Sequence, residues 1–339
     1  MRLLVTEARR FFARRFVRIM LLVALVLLVA LAVGTAVRHH RTTAAEVAAA
    51  RQQVAAQQHT VDLQRVTCLR EQADPRAGDG DFAQLPPGVT CADAFPANSV
   101  RLETFLPARW DLAGQGRGML AIFAALLALL GFAVGASFVG AEWSSGGMVN
   151  QLLWWPRRAR LLVTKLGALA VGVVASGIAL LVLWVALLSG VALTRGYFGH
   201  FTAGLLRSFA LLGARGFGLG LAAAFVGFAI ASIGRATTLA LGIAVGYLVV
   251  FEAGGRFIFA TLLRQPHPEQ FLLSTYSSAW LAKGASFDSS SCTAGAGPEP
   301  VCVVNHWAIG MYQAGGVLAV LALGMLTWAF VAFQRRDVT

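Results

Sequence analysis

The chain has 339 residues, 57% of them hydrophobic and only 13% charged, with a mean hydropathy of +0.68. Soluble domains carry about 25% charged residues, so an ordinary soluble enzyme is excluded, and too few residues are polar for a chain disordered throughout. The net charge of +12 suits either nucleic acid or an anionic membrane face, and the placement of the charges decides between them.

Residues 1–18 read as an amphipathic helix. Leu4, Ala8, Phe12, Phe16 and Ile19 recur at helical spacing, and Arg2, Arg9, Arg10, Arg14 and Arg18 spread over the other side, with Arg15 intruding on the apolar stripe. Such a helix lies among cytoplasmic headgroups with its arginines on anionic lipid. Arg9-Arg10-Phe11-Phe12 loosely resembles a twin-arginine signal. The apolar run that follows, 19–37, is longer than the ~7–15 residues of a cleavable core, so an uncleaved anchor is expected.

Apolar runs able to cross a ~30 Å hydrocarbon core are expected at 19–37, 119–140, 166–193, 205–233, 237–253 and 306–333. The fold expected is an all-α polytopic membrane protein with six transmembrane helices. With a cytoplasmic N-terminus, the inside segments 1–18, 141–165, 234–236 and 334–339 hold thirteen basic and three acidic residues, a net of +10. The outside segment 38–118 holds nine of each. That asymmetry is the positive-inside rule. The charge therefore reflects topology, and no nucleic-acid partner is expected.

The first outside region, 38–118, is long for a connection. Residues 42–73, with Val47, Val54 and Val61 at heptad spacing, read as a helix continuing out of the first span and stopping at Asp74-Pro75. A loop containing Pro86, Pro87 and Gly88 follows, and together these make a small helical cap. In the second outside region, 254–305, Phe257–Leu263 and Phe271–Leu281 read as short interfacial helices, and Ser286–Pro300 as a surface loop. All four cysteines fall in the outside regions, Cys68 and Cys91 in the first, Cys292 and Cys302 in the second. Two disulfides, 68–91 and 292–302, are expected on that oxidising face.

Charges inside the spans are costly. Arg215 in the fourth and Glu252 at the end of the fifth are within reach of each other and are expected to pair near a substrate path. The alternatives are Arg215 snorkelling alone and Glu252 pairing with Arg256. The six histidines show no metal-ligand spacing, and no Gly-Lys-Ser/Thr phosphate loop occurs, so no metal or cofactor site and no ATPase of that kind is expected in this chain.

The long inside loop, 141–165, is the informative stretch. Glu142 is followed by Ser144, Ser145, Gly146 and the apolar segment Met148–Trp155, then by Pro156, Arg157, Arg158, Arg160 and Lys165. Ser144 or Ser145 is expected to cap a short helix that Pro156 ends. Met148, Leu152 and Trp155 share one face of it. This pattern, placed between the second and third spans, closely resembles the ABC-2 type permeases, the membrane subunits of a class of ATP-binding cassette transporters. The six spans, interfacial N-terminal helix and cytoplasmic termini match as well, and the large first outside loop departs from compact members.

The resemblance implies that the loop is a coupling helix. Glu142, Gly146, Met148, Leu152, Trp155 and Pro156 would face the ATPase, and Arg157 and Arg158 would hold the loop at the headgroups. It also implies separate ATPase subunits that bind ATP, two permease subunits as homo- or heterodimer, and export of an amphipathic or lipid-like compound across a bacterial cytoplasmic membrane. On that reading Glu142→Ala abolishes transport but leaves insertion intact. The rival reading is a non-transporting signalling or scaffold protein whose outer cap binds a ligand.

Overall fold

Long Leu, Ala and Val runs in hydrocarbon leave backbone N–H and C=O groups no partner but one another, and helices follow. The computed structural model describes residues 2–39, 42–74, 89–106, 109–154, 158–263, 265, 267–293 and 301–335. They are mostly helical, and the chain divides into one unit of 1–32, 112–189 and 199–339, and a second of 33–111 and 190–198.

In chain order the first elements are α1 (Arg2–Ala13) and α2 (Arg15–Arg38), then α3 (Ala44–Ala73) and α4 (Cys91–Ala94). The two-residue strand β1 (Trp110–Asp111) leads into α5 (Leu112–Ser144), α6 (Gly147–Trp154) and α7 (Arg158–Arg195). Strand β2 (Gly196–Tyr197), α8 (Ala203–Gly234) and α9 (Thr237–Tyr247) follow. After a π-helical turn, Leu248–Ala253, come α10 (Gly255–Phe257), a second π turn, Ile258–Leu262, and α11 (Leu273–Ala282). The hairpin β3 (Gly284–Thr293) and β4 (Val301–Gly310) leads into α12 (Met311–Arg335).

Five described helices, α2, α5, α7, α8 and α12, are long and apolar enough to cross a membrane. The fifth expected span is a shorter apolar helix, Thr237–Ala253, whose end widens into the π turn.

In the first unit α5 packs along α8 on small residues. A Cβ on Gly131 would lie 2.5 Å from the carbonyl oxygen of Gly220, and one on Gly135 would overlap the Ala224 carbonyl. Small residues let two backbones approach where hydrocarbon supplies no hydrophobic drive of its own. Phe138, Phe228 and Leu169 are buried beside that seam with Phe11, whose ring packs on Gly172. Phe11 is the buried ring, and Phe12 and Ile19 of the expected apolar stripe are 42% and 53% exposed.

The second unit holds α3, α4 and the β1–β2 pair. The expected continuation of the first span into this helix is not seen: α2 ends at Arg38, and α3 starts anew on a capping box, in which Thr43 accepts from the Glu46 amide and Glu46 from that of Thr43. Thr90 and Asp93 repeat the device on α4, and the Thr90 donors hold the Asp93 carboxyl below its ordinary value. The Cys68–Cys91 disulfide joins the two helices. Val47, Val54 and Val61 are half-buried along one face of α3.

The irregular loop expected over 286–300 is overturned in its described part. Residues 284–293 pair antiparallel with 301–310, with Phe287 opposite Trp307 and Cys292 opposite Cys302. Valine, tryptophan and isoleucine, frequent in 301–310, favour a strand, and the Ser-rich segment pairs with it. The Cys292 and Cys302 side chains lie outside the described residues, as does the loop at 75–88.

Candidate functional site

Where α5 ends and α7 begins, three segments meet in a charge cluster. Glu142, on the last turns of α5, pairs with Arg14, the residue between α1 and α2, and with Lys165 of α7, the latter at 2.6 Å. Lys165 also reaches Glu7 of α1 at 3.4 Å, and Glu7 pairs with Arg10 at 3.0 Å. Arg14 donates to the carbonyl of Phe138 at 2.6 Å and lies 4.5 Å over its ring. Lys165 is fully buried and Glu142 is 8% exposed.

Each ion thus has an opposite charge, which burial of ions demands. The cluster binds the start of the chain to the ends of two long helices. Its charges are committed to one another.

Glu142, expected as a contact for the ATPase, faces inward onto Arg14 and Lys165. The sequence carries a signal that pattern matching passed over. Glu7 and Glu142 are the sole acidic residues of 1–18 and 141–165, and each balances cations from another segment.

The short helix α6 is built on Gly146. Its φ of +71° is the left-handed region that favours glycine. Its carbonyl accepts from the Asn150 amide at the start of the helix. The cap expected of Ser144 or Ser145 is not made, because both hydroxyls donate back to carbonyls of α5, Ala141 and Glu142 respectively. Met148 is fully buried, while Val149 and Leu153, four residues apart, are 36% and 79% exposed. Among the described side chains of α6, Val149 and Leu153 thus face outward and Met148 inward. The Leu152 side chain and residues Trp155, Pro156 and Arg157 lie outside the described residues. Arg158 opens α7 and donates to the Gln334 carbonyl of α12 at 3.4 Å.

Arg215 and Glu252 line one cavity of about 1510 Å³ among α5, α8, α9, α11 and α12. The ion pair expected between them is not formed. Instead they clasp the two ends of α11. Glu252 Oε1 accepts from the Ser274 amide at 2.9 Å in its first turn, and from the Tyr247 hydroxyl at 3.0 Å. Arg215 donates to the Leu281 carbonyl at 3.0 Å in its last turn. A carboxylate at a helix N-terminus and a guanidinium at its C-terminus both oppose the helix dipole. Glu252 lies within the π turn Leu248–Ala253, and single π turns often mark functional sites. Sequence spacing could suggest a partner for each charge but not a helix ten residues long lying between them. The Arg256 side chain lies outside the described residues. Among the described residues, no group of three or more His, Cys, Asp or Glu is placed to hold a metal ion.

Comparison with curated proteins and with solved structures gave no match. A family described as ABC-2 family transporter protein matches residues 12–338. That range takes in all five long helices, α6 and the charge cluster's Arg14, Glu142 and Lys165, nearly the whole chain, and this protein belongs to the ABC-2 transporter family.

Proposed function

We propose that the chain is the permease subunit of an ABC-2 type exporter in a bacterial cytoplasmic membrane. A separate ATPase subunit binds and hydrolyses ATP, and a second permease subunit completes the transporter. In this reading the helix from Thr237, extended past its π turns, is the fifth of six crossings, and both termini are cytoplasmic. The thirteen basic and three acidic residues of the inside segments support that orientation.

The observation that carries the reading is the family match over 12–338, joined to the position of α6 between two long helices with Val149 and Leu153 exposed. Those two side chains and Asn150 form the surface that meets the ATPase. Met148 and the charge cluster below it pass the ATPase's movement to α1, α5 and α7. The cargo is an amphipathic compound, because the cavity wall is mostly apolar with charged groups among its lining.

Purification of the tagged chain from its native membrane tests this directly. The reading expects an ATPase subunit with a Gly-Lys-Ser/Thr phosphate loop to copurify in stoichiometric amount. A chain that copurifies with no ATPase, and whose deletion leaves ATP-dependent export unchanged, would favour the scaffold reading.

A further inference from the structure

The cavity beside α11 has an uneven wall. Arg117, Arg215 and Lys283 line it together with Glu252, and the rest is largely alanine, leucine, isoleucine and valine from α5, α8, α9 and α12. Among the described residues none of the three cations has a carboxylate within ion-pair distance. Arg117 donates to the Ser208 hydroxyl at 2.7 Å and Arg215 to the Leu281 carbonyl. Both partners are neutral and leave the positive charge in place. Glu252 is engaged by a hydroxyl and a backbone amide, not by any of these cations. Three cations and one carboxylate leave this wall net positive.

Arg117 and Lys283 are exposed and Arg215 is partly buried, so the wall presents reachable positive charge beside an apolar surface, where an acidic group gains charge-assisted contacts. A cavity of about 1510 Å³ also exceeds the ~300–1,000 Å³ typical of a drug-sized ligand. We infer that the cavity binds an anionic amphiphile, its acidic headgroup on Arg117 and Arg215 and its hydrocarbon against the apolar wall toward Met325. This rests on the permease reading and names the charge class of its cargo. Two sources share the chemistry, a free fatty acid and an acidic membrane phospholipid.

The test is equilibrium binding to the purified full-length chain in an uncharged maltoside detergent, with no ATPase present. Four probes are titrated: myristate, tetradecyltrimethylammonium, dimyristoylphosphatidylglycerol and dimyristoylphosphatidylcholine. The inference expects at least one anionic probe to bind at least about tenfold tighter than its chain-matched counterpart, as a charge-assisted contact supplies. Which anionic probe does so identifies the source. Arg117→Gln and Arg215→Gln should each weaken that binding about tenfold. Ala222→Trp, which fills the apolar part without touching a charge, should block it, with thermal melting showing that each variant is folded.

Equal binding of anionic and chain-matched probes would overturn the inference, as would wild-type affinity in folded forms of both arginine variants. Should an arginine variant fail to fold, wild-type affinity in folded Ala222→Trp overturns it equally. Because no ATPase takes part, failure here leaves the permease reading standing. Absence of a copurifying ATPase would sink that reading and not the binding result.

Discussion

Glu142 faces two cations from different segments, and that changes what its replacement does. Glu142→Ala removes the carboxylate shared by Arg14 and Lys165, leaving Arg14 on the Phe138 carbonyl and the buried Lys165 on Glu7 alone. Breaking a buried pair costs up to ~3–5 kcal/mol, and these remaining partners reduce that. The variant should therefore melt lower in detergent and accumulate poorly in the membrane, so loss of transport alone does not identify an ATPase contact. A double-mutant cycle with Glu142→Gln and Lys165→Met should show coupling between the two in thermal stability. Strict additivity would contradict the cluster. Gly146 makes a separate prediction. Its left-handed backbone costs an L side chain ~1–2 kcal/mol, so Gly146→Ala should lower stability by about that amount, although open space surrounds it. A melting temperature equal to wild type would show that the turn relaxes without it.

At the scale of elements, the α5–α8 seam predicts opposite outcomes for glycines of one helix pair. Gly135→Leu drives a side chain into the Ala224 backbone, which cannot rotate away, and should cost ~1–3 kcal/mol or more. Gly213 faces open space, so Gly213→Ala should be neutral or gain up to about 1 kcal/mol from helix propensity. Equal effects in melting experiments would contradict the packing. The hairpin makes a further prediction: alkylation of protein taken from native membranes without reductant should label no cysteine, since Cys68 is bonded to Cys91 and Cys292 stands opposite Cys302. Labelling at 292 and 302 would show the second bridge absent.

The elements differ in how far the sequence discloses them. Uninterrupted apolar runs announce the long helices, because only a helix satisfies backbone groups in hydrocarbon. The hairpin is concealed because its first strand is a run of Ser, Asp and Thr, which reads as loop until the Val-rich partner is laid beside it. The clasp on α11 is concealed for another reason: Glu252 and Arg215 act on a third element, and pairwise reasoning between spans looks past it. On α6 the motif positions were legible, but their direction was not, since only packing tells the Met148 face from the Leu153 face.

For the whole molecule, the proposed permease brings together a charge cluster, an outward helix and a cationic apolar cavity. Central to it is that the exposed stripe of α6 meets an ATPase. Replacing Leu153 with a photo-crosslinking amino acid, irradiating native membranes and identifying the attached protein by mass spectrometry tests this most directly. The proposed function predicts a crosslink to an ATPase subunit carrying a Gly-Lys-Ser/Thr phosphate loop, and none from the same probe placed at Val182, exposed midway along α7. Crosslinks from position 153 to lipid alone, with an ATPase absent from the attached proteins, would contradict it.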